Sequence, residues 1–154
     1  MELLSEQEVG GLLEALDDEY KAWATYDQVI ADLGPVRPFI SIRDSEGRHI
    51  AALQGLCRRY DVPVPENHWI GKVQHYVNIH SACEAAIAAE IGNGALYERL
   101  FKSTQRTDIL GVFRRLRDAS EQRHMPAFQR CASRPGRGRA PVPTARGHRD
   151  SHRA

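Results

Sequence analysis

The 154-residue sequence lacks any apolar run long enough for a membrane-spanning helix, and its start lacks the basic-then-apolar pattern of an export signal. Cysteine is scarce, and the three that occur (Cys57, Cys83 and Cys131) are widely scattered. The absence of a Cys-x-x-Cys pair argues against a zinc ribbon, a rubredoxin-type iron site and a secreted disulfide framework. We therefore expect a cytoplasmic protein without a membrane partner.

The sequence also lacks a strong overall charge, since its formal net charge is +1, but basic residues concentrate at one end. From Ala132 onward, arginines alternate with proline, glycine and serine, and only Asp150 opposes them. Such a segment has too few large apolar residues to offset the entropy of ordering it. We expect one domain over residues 1–131 and a disordered basic tail over residues 132–154. The tail either has no specific role or binds nucleic acid or another acidic partner weakly.

Apolar residues recur at alternating spacings of three and four in the first half, which predicts two amphipathic helices. The first stripe is Val9, Leu12, Leu16, Glu19, Trp23, Tyr26, Ile30 and Leu33, and the second is Phe39, Ile42, Glu46, His49, Leu53, Leu56 and Tyr60. Gly34, Pro35 and Pro38 break the chain between the stripes and predict a short antiparallel connection.

The second half predicts two more helices after a longer connection. Pro63 and Pro65 indicate a crossover loop over residues 61–69, and the third helix is expected to begin within residues 71–79 and to reach Leu100. The fourth helix is expected to run from about Thr107 to near Arg130. The predicted fold class is therefore all-α, a four-helix bundle with one long crossover between helices 2 and 3.

Two near-identical pentapeptides, Ser-Glu-Gly-Arg-His at 45–49 and Ser-Glu-Gln-Arg-His at 120–124, each place a glutamate three residues before a histidine. On a helix, that spacing lets both side chains reach one metal ion. Each pentapeptide follows a glutamate that has a tyrosine seven residues later. These glutamate and tyrosine pairs are Glu19 with Tyr26, and Glu90 with Tyr97. The two halves thus offer the ligand types of a di-metal carboxylate bundle.

The polar residues stand on the buried faces of the predicted helices. Glu19, Glu46 and His49 occupy stripe positions where leucine is usual. An unpaired carboxylate buried there costs several kcal/mol or becomes protonated. Bound metal ions resolve that cost, and so does a buried salt bridge, but no arginine or lysine lies on either stripe.

The fourth helix carries an irregularity in its spacing. An Arg-Asp pair precedes each pentapeptide. The first pair, at positions 43–44, adjoins its pentapeptide directly, whereas one extra residue, Ala119, separates the second pair from its pentapeptide. The apolar stripe that ends at Leu116 is correspondingly out of phase with Glu121 and His124. We predict a single π-bulge near Ala119, a feature often found at functional sites.

These motifs resemble the ferritin-like superfamily over roughly residues 8–130, most closely a prokaryotic family of ferritin-like proteins with a Ser-Glu-Gln-Arg-His-type metal helix. The resemblance implies Glu19 and Glu90 as terminal ligands, Glu46 and Glu121 as bridging ligands, and His49 and His124 as ligands of one metal each. The resemblance implies that Tyr26 and Tyr97 lie beside the metal ligands, where such proteins often carry a supporting or redox-active tyrosine; alternatively, both are aromatic residues that pack the core. On the third helix, Glu84 is the alternative to Glu90.

The donor set favours two iron ions, with manganese or a mixed manganese and iron pair as alternatives. The resemblance implies a ferroxidase or oxidase that reacts Fe(II) with O2 or peroxide. A rubrerythrin-like peroxidase is an alternative that requires an external electron donor, because the chain lacks rubredoxin cysteines. Asn93 also stands where such proteins often carry a further glutamate. A third alternative is a non-redox bundle held together by metal. A homodimer is compatible with the sequence but is not required by it.

Overall fold

The computed structural model describes residues 2–135, and these residues contain helices and loops but no strand. The helices are α1 (Glu6–Leu33), α2 (Phe39–Arg59), α3 (Ile79–Leu100), α4 (Thr107–Ala119), a π-helix (Ser120–His124) and α5 (Met125–Ser133). The last three follow one another without a gap and form a fourth continuous helical stretch. The all-α prediction is confirmed, and the helices form a bundle. No helix within residues 2–135 has the length and apolar character needed to cross a membrane.

The helix boundaries follow from local sequence signals. The Ser5 hydroxyl accepts a hydrogen bond from the Glu8 backbone N–H, while the Glu8 carboxylate accepts one from the Ser5 N–H, so that a capping box begins α1. Gly34 ends α1 with a φ of +96°, a conformation that favours glycine. Asn78 caps α3 by accepting a hydrogen bond from the Ser81 N–H. Residues 60–78 connect α2 to α3 without a helix.

The helices pack as two pairs. α1 makes its most extensive contacts with α2, and α3 makes its most extensive contacts with α5. Only residues 34–38 connect α1 to α2, so these two long helices run antiparallel. α1 also runs antiparallel to α3, because Glu19 lies beside Tyr97 and Tyr26 lies beside Glu90.

Two apolar clusters fill the bundle, one toward each end. One cluster includes Leu12, Leu16, Leu53, Leu56, Tyr97, Leu100, Ile109, Phe113 and Leu116. The other includes Tyr26, Val29, Phe39, Ile42, Ala82, Ala86 and Phe128. Each helical stretch contributes apolar residues to both clusters, and it also carries at least one buried polar residue near its middle. Burial of the apolar stripes therefore places a polar layer in the middle of the bundle.

The predicted π-bulge is confirmed. The backbone N–H of Met125 donates to the carbonyl of Ser120, five residues earlier, and the π-helix begins directly after Ala119. The wider turn absorbs the one extra residue that separates the second pentapeptide from the apolar stripe of α4. Both Phe113 before it and Phe128 after it are consequently buried.

The scattered cysteines argued against a disulfide framework, but two of the three form a disulfide in the structure. Cys83 on α3 and Cys131 on α5 form a disulfide, although 48 positions separate them, while Cys57 is buried and free. The packing of α3 against α5 brings the pair together, which spacing in the sequence does not reveal. α5 continues to Ser133, past the expected domain end at residue 131. The predicted basic tail lies outside the described residues from position 136 onward.

Candidate metal centre

Three carboxylates and two imidazoles meet in the polar layer of the bundle. Glu19, Glu46 and Glu90 are 1%, 2% and 2% exposed, and His49 and His124 are also buried. These residues form two groups that could each hold a metal ion: Glu19 with Glu46 and His49, and Glu46 with Glu90 and His124. Within each group, the donor atoms lie within 4.8 Å of one another. Glu46 belongs to both groups.

The two carboxylate oxygens of Glu46 face different histidines. Its Oε2 lies 3.2 Å from His49 Nδ1, and its Oε1 lies 3.1 Å from His124 Nδ1. A second carboxylate lies near each histidine: Glu19 Oε2 is 3.7 Å from His49 Nδ1, and Glu90 Oε1 is 3.3 Å from His124 Nδ1. Each imidazole therefore faces two carboxylates, and Glu46 is positioned to bridge two ions.

The Nδ1 atom of His124 is a buried polar atom without a satisfied hydrogen bond, which is the kind of donor that a cation would complete. It is buried and makes no hydrogen bond of acceptable geometry, although oxygens of Glu46 and Glu90 lie within 3.3 Å. A cation held by this nitrogen and both carboxylates would satisfy all three groups. No arginine or lysine within residues 2–135 forms an ion pair with Glu19, Glu46 or Glu90, so among side chains there the two imidazoles are the cationic groups beside these carboxylates.

The pKa values in the cluster reflect burial and the close approach of its groups. Burial, together with repulsion from Glu46, raises the pKa of Glu19 to about 8. Burial alone would lower the histidine pKa values, but the carboxylates close to both rings raise those of His49 and His124 to about 9. Burial would also raise the pKa of Glu46, but the neighbouring Glu19 carboxyl and both imidazoles lower it.

Both candidate tyrosines contact the cluster directly. The Tyr26 hydroxyl donates to Glu90 Oε1 at 2.9 Å, and the Tyr97 hydroxyl donates to Glu19 Oε1 at 2.6 Å. Burial raises the pKa of both tyrosines well above the ordinary value, so both remain hydroxyl donors at neutral pH. Tyr26 also packs against the ring of Phe39. The structure therefore combines the hydrogen-bonding role and the packing role that the sequence left open.

Glu121 is the one sequence-predicted ligand that the structure does not bring to the cluster. Its side chain is exposed, and its carboxylate lies over Gly94, where a Cβ would approach Oε1 to 3.1 Å. Ser120 faces inward instead and donates a hydrogen bond to the Glu90 carboxylate. The wider π turn explains the exchange, because residues four apart, such as Ser120 and His124, then share a face better than residues three apart.

Ser45 lies beside both imidazoles, and its role was not foreseen from the sequence. Its Oγ lies 3.0 Å from His124 Nε2 and 3.4 Å from His49 Nε2, and the two rings stack 5.5 Å apart. The hydroxyl oxygen can accept a hydrogen bond from both Nε2–H groups, which leaves each Nδ1 directed toward the carboxylates. The serine that begins both pentapeptides was the available signal.

Asn93 and Asp18 extend the polar layer on one side. The Asn93 side-chain amide donates to Asp18 at 2.7 Å and lies 3.4 Å from Glu19 Oε1. Burial raises the pKa of Asp18 to about 6, against the effect of that hydrogen bond. The alternative ligand Glu84 is exposed and pairs with His80, away from the cluster.

Cavities reach the cluster from two sides. A cavity of about 380 Å³ opens between α1 and α3 and is lined by Asp18, Tyr26, Glu46 and Glu90, with small residues such as Ala89 on its wall. A second cavity, of about 530 Å³, opens between α2 and the fourth helical stretch and reaches His49 and His124. The carboxylates therefore face one opening, and the imidazoles lie at the other.

Comparison with known proteins supports the fold. No protein-family model and no curated protein matches the chain. The crystal structure of the hypothetical protein MJ0754 from Methanococcus jannaschii DSM 2661 is similar, with a TM-score of 0.75 and 24% sequence identity over 86% of this chain and 83% of that one. At this level of identity, the similarity extends to the helical fold and not to function.

Proposed function

We propose that this chain is a ferritin-like protein that binds two iron ions in its polar layer and oxidises Fe(II) with O2 or peroxide. The proposal includes the ferritin-like topology with a long crossover between the second and third helices. The observation that carries it is the position of Glu46, whose two carboxylate oxygens face different imidazole Nδ1 atoms.

The residues suggest a specific division of ligands. Glu19 and His49 would hold one ion, Glu90 and His124 would hold the other, and Glu46 would bridge them. Carboxylate oxygens with imidazole nitrogens suit iron and manganese, and the lack of thiolate ligands disfavours soft metals. Asp18 lines the cavity between α1 and α3, which we call the acidic cavity because Glu46 and Glu90 also line it, and it would offer a further carboxylate to an incoming cation.

Bound iron would supply the redox chemistry, in which two Fe(II) ions, one O2 molecule and two protons give two Fe(III) ions and hydrogen peroxide. The chain supplies the positioning of the donors. Tyr97 and Tyr26 hold Glu19 and Glu90 in place through hydrogen bonds, and Ser45 orients both imidazoles. The apolar clusters pack against the layer toward both ends of the bundle, while the two cavities reach it from the sides.

An anaerobic titration of the chelator-treated protein with Fe(II), followed by a pulse of air, tests this proposal. We expect saturation near two ions per chain and then a rapid rise in Fe(III) absorbance. Glu46→Gln should abolish both, while the matched control Glu84→Gln, which changes an exposed glutamate, should leave both unchanged.

The outcomes separate oxidation from binding. Failure to bind Fe(II), or equal effects of the two substitutions, would overturn the proposal entirely. Binding of two ions without oxidation would overturn the oxidase activity and favour a bundle that uses metal only for stability. Faster oxidation with peroxide than with O2 would identify peroxide as the oxidant.

A further inference from the structure

The second cavity, which we call the arginine cleft, is lined by cationic side chains. Arg48 on α2, Arg115 on α4 and Arg123 on the π-helix line it, and no aspartate or glutamate does. None of the three forms an ion pair with an acidic side chain within residues 2–135, whereas the nearby Arg43 and Arg117 both do. Three guanidinium groups that have no acidic partner among the described residues therefore line one cavity.

The floor of the arginine cleft adds further hydrogen-bond donors. Ser45, His49 and His124 line it, and the Nε2 atoms of both imidazoles point to Ser45 on this side of the cluster. The arginines and Ser45 thus offer N–H and O–H donors to whatever occupies the cleft, and both imidazoles lie directly beside it.

The arginines are also part of the internal repeat. Arg48 and Arg123 hold the same position in the two pentapeptides, each directly before the metal-site histidine. The fold turns both copies toward one cleft, so the repeat builds a pair of guanidinium groups as well as a pair of imidazoles. Metal binding accounts for the histidines but not for the arginines.

We propose that the arginine cleft binds a small oxyanion, a molecule that carries a phosphate group or two carboxylate groups. Arginine presents forked donors that match the geometry of both anions. A volume of about 530 Å³ falls in the range of small-molecule sites. The acidic cavity on the opposite side would repel such a ligand, so the two openings select opposite charges. The proposal goes beyond iron oxidation and does not require a bound metal.

Calorimetric titration of the full-length, chelator-treated protein with inorganic phosphate, and separately with malonate, tests the proposal. Saturable binding of either probe is expected, and the stronger binder identifies the anion type. Arg115→Gln and Arg123→Gln should each weaken binding about tenfold or more, since one charge-assisted hydrogen bond is lost. The matched control Arg114→Gln changes an exposed neighbour on α4 that does not line the cleft, and it should bind normally.

A second readout locates the probe. Binding in the arginine cleft should shift the ¹⁵N resonances of the Nε2 atoms of His49 and His124 in the metal-free protein. No saturable binding of either probe, or an equal loss of affinity in Arg114→Gln and Arg115→Gln, would overturn the proposal. Because no metal is present, these results are independent of the outcome of the Fe(II) titration.

Discussion

The Tyr26 hydroxyl on α1 donates a hydrogen bond to the carboxylate of Glu90 on α3. Tyr97 on α3 makes the reciprocal bond to Glu19 on α1. A glutamate and a tyrosine seven residues apart lie two turns apart on one helix face. Since α1 and α3 run antiparallel, each tyrosine lies opposite the glutamate of the other helix. The repeated spacing in the sequence therefore provides both Glu19 and Glu90 with a hydrogen bond from a buried tyrosine hydroxyl.

Tyr97→Phe should destabilise the metal-free protein by about 1–3 kcal/mol, because it leaves a buried Glu19 oxygen without its close donor. Urea unfolding in the presence of a chelator measures this change. Tyr76→Phe is the control, since the Tyr76 hydroxyl makes no hydrogen bond among the described residues, and it should change the free energy of unfolding little. Equal effects of the two substitutions would show that the Tyr97 hydroxyl does not support Glu19.

Ser45→Ala should weaken metal binding about 10- to 100-fold, because both imidazoles lose the acceptor that orients them. Competition with a chromogenic chelator measures the affinity. Ser41→Ala, on the same helix, removes a hydroxyl that bonds only the Pro38 carbonyl, and it should bind metal normally. Unchanged affinity in Ser45→Ala would contradict the orienting role of this residue.

Reduction of the disulfide between Cys83 and Cys131 should lower the free energy of unfolding. The bond closes a loop of 48 residues, for which the chain-entropy relation predicts about 4 kcal/mol. Guanidinium unfolding with and without dithiothreitol measures the effect. A double variant, Cys83→Ser with Cys131→Ser, should be insensitive to the reductant. Equal unfolding of the wild type in both conditions would show that this bond does not form in solution or does not stabilise the protein.

Glu8 should contribute a stability that acid removes. The Thr104 hydroxyl donates to its carboxylate at 2.5 Å, and this bond, assisted by Arg106, lowers the pKa of Glu8 below 4.5. A carboxyl group whose pKa is lower in the folded state than in the unfolded state stabilises the protein at pH values above the unfolded-state pKa. This stabilisation is lost as the pH falls through the folded-state pKa. The stability difference between wild type and Glu8→Gln should therefore shrink below pH 4.5.

Urea unfolding across pH 3–7 checks the Glu8 prediction. Glu6→Gln is the matched control, since Glu6 lies in the same first turn of α1 but makes no side-chain hydrogen bond among the described residues. The stability difference between wild type and Glu8→Gln should change more with pH than the difference between wild type and Glu6→Gln. Equal pH dependence of the two differences would contradict the role assigned to the Thr104 bond.

Periodicity in the sequence predicted the helices well, because long amphipathic stripes, prolines and Gly34 determine where the chain can remain helical. It also located the π-helix, since one extra residue in a repeat must either shift a helix face or widen a turn. It did not predict that this wider turn directs Ser120 inward in place of Glu121. The exchange depends on the direction in which the π turn points each side chain. It also depends on Gly94, because a Cβ at this position would approach the Glu121 carboxylate closely.

The sequence patterns did not predict contacts between residues on different helices. Cys83 and Cys131 pair only because α3 packs on α5, and Ser45 reaches His124 only across the bundle. The arginine cleft likewise needs three helical segments to meet. Local spacing identifies which side chains share a helix face, but the packing of the helices decides which faces meet.

The most direct test of the two-metal centre is a crystal structure of the iron-loaded protein with anomalous scattering recorded at the iron edge. We predict two anomalous peaks, one beside Glu19 and His49 and one beside Glu90 and His124, with Glu46 between them and Glu121 outside. A single peak, peaks elsewhere, or no peak after loading with iron would contradict the account.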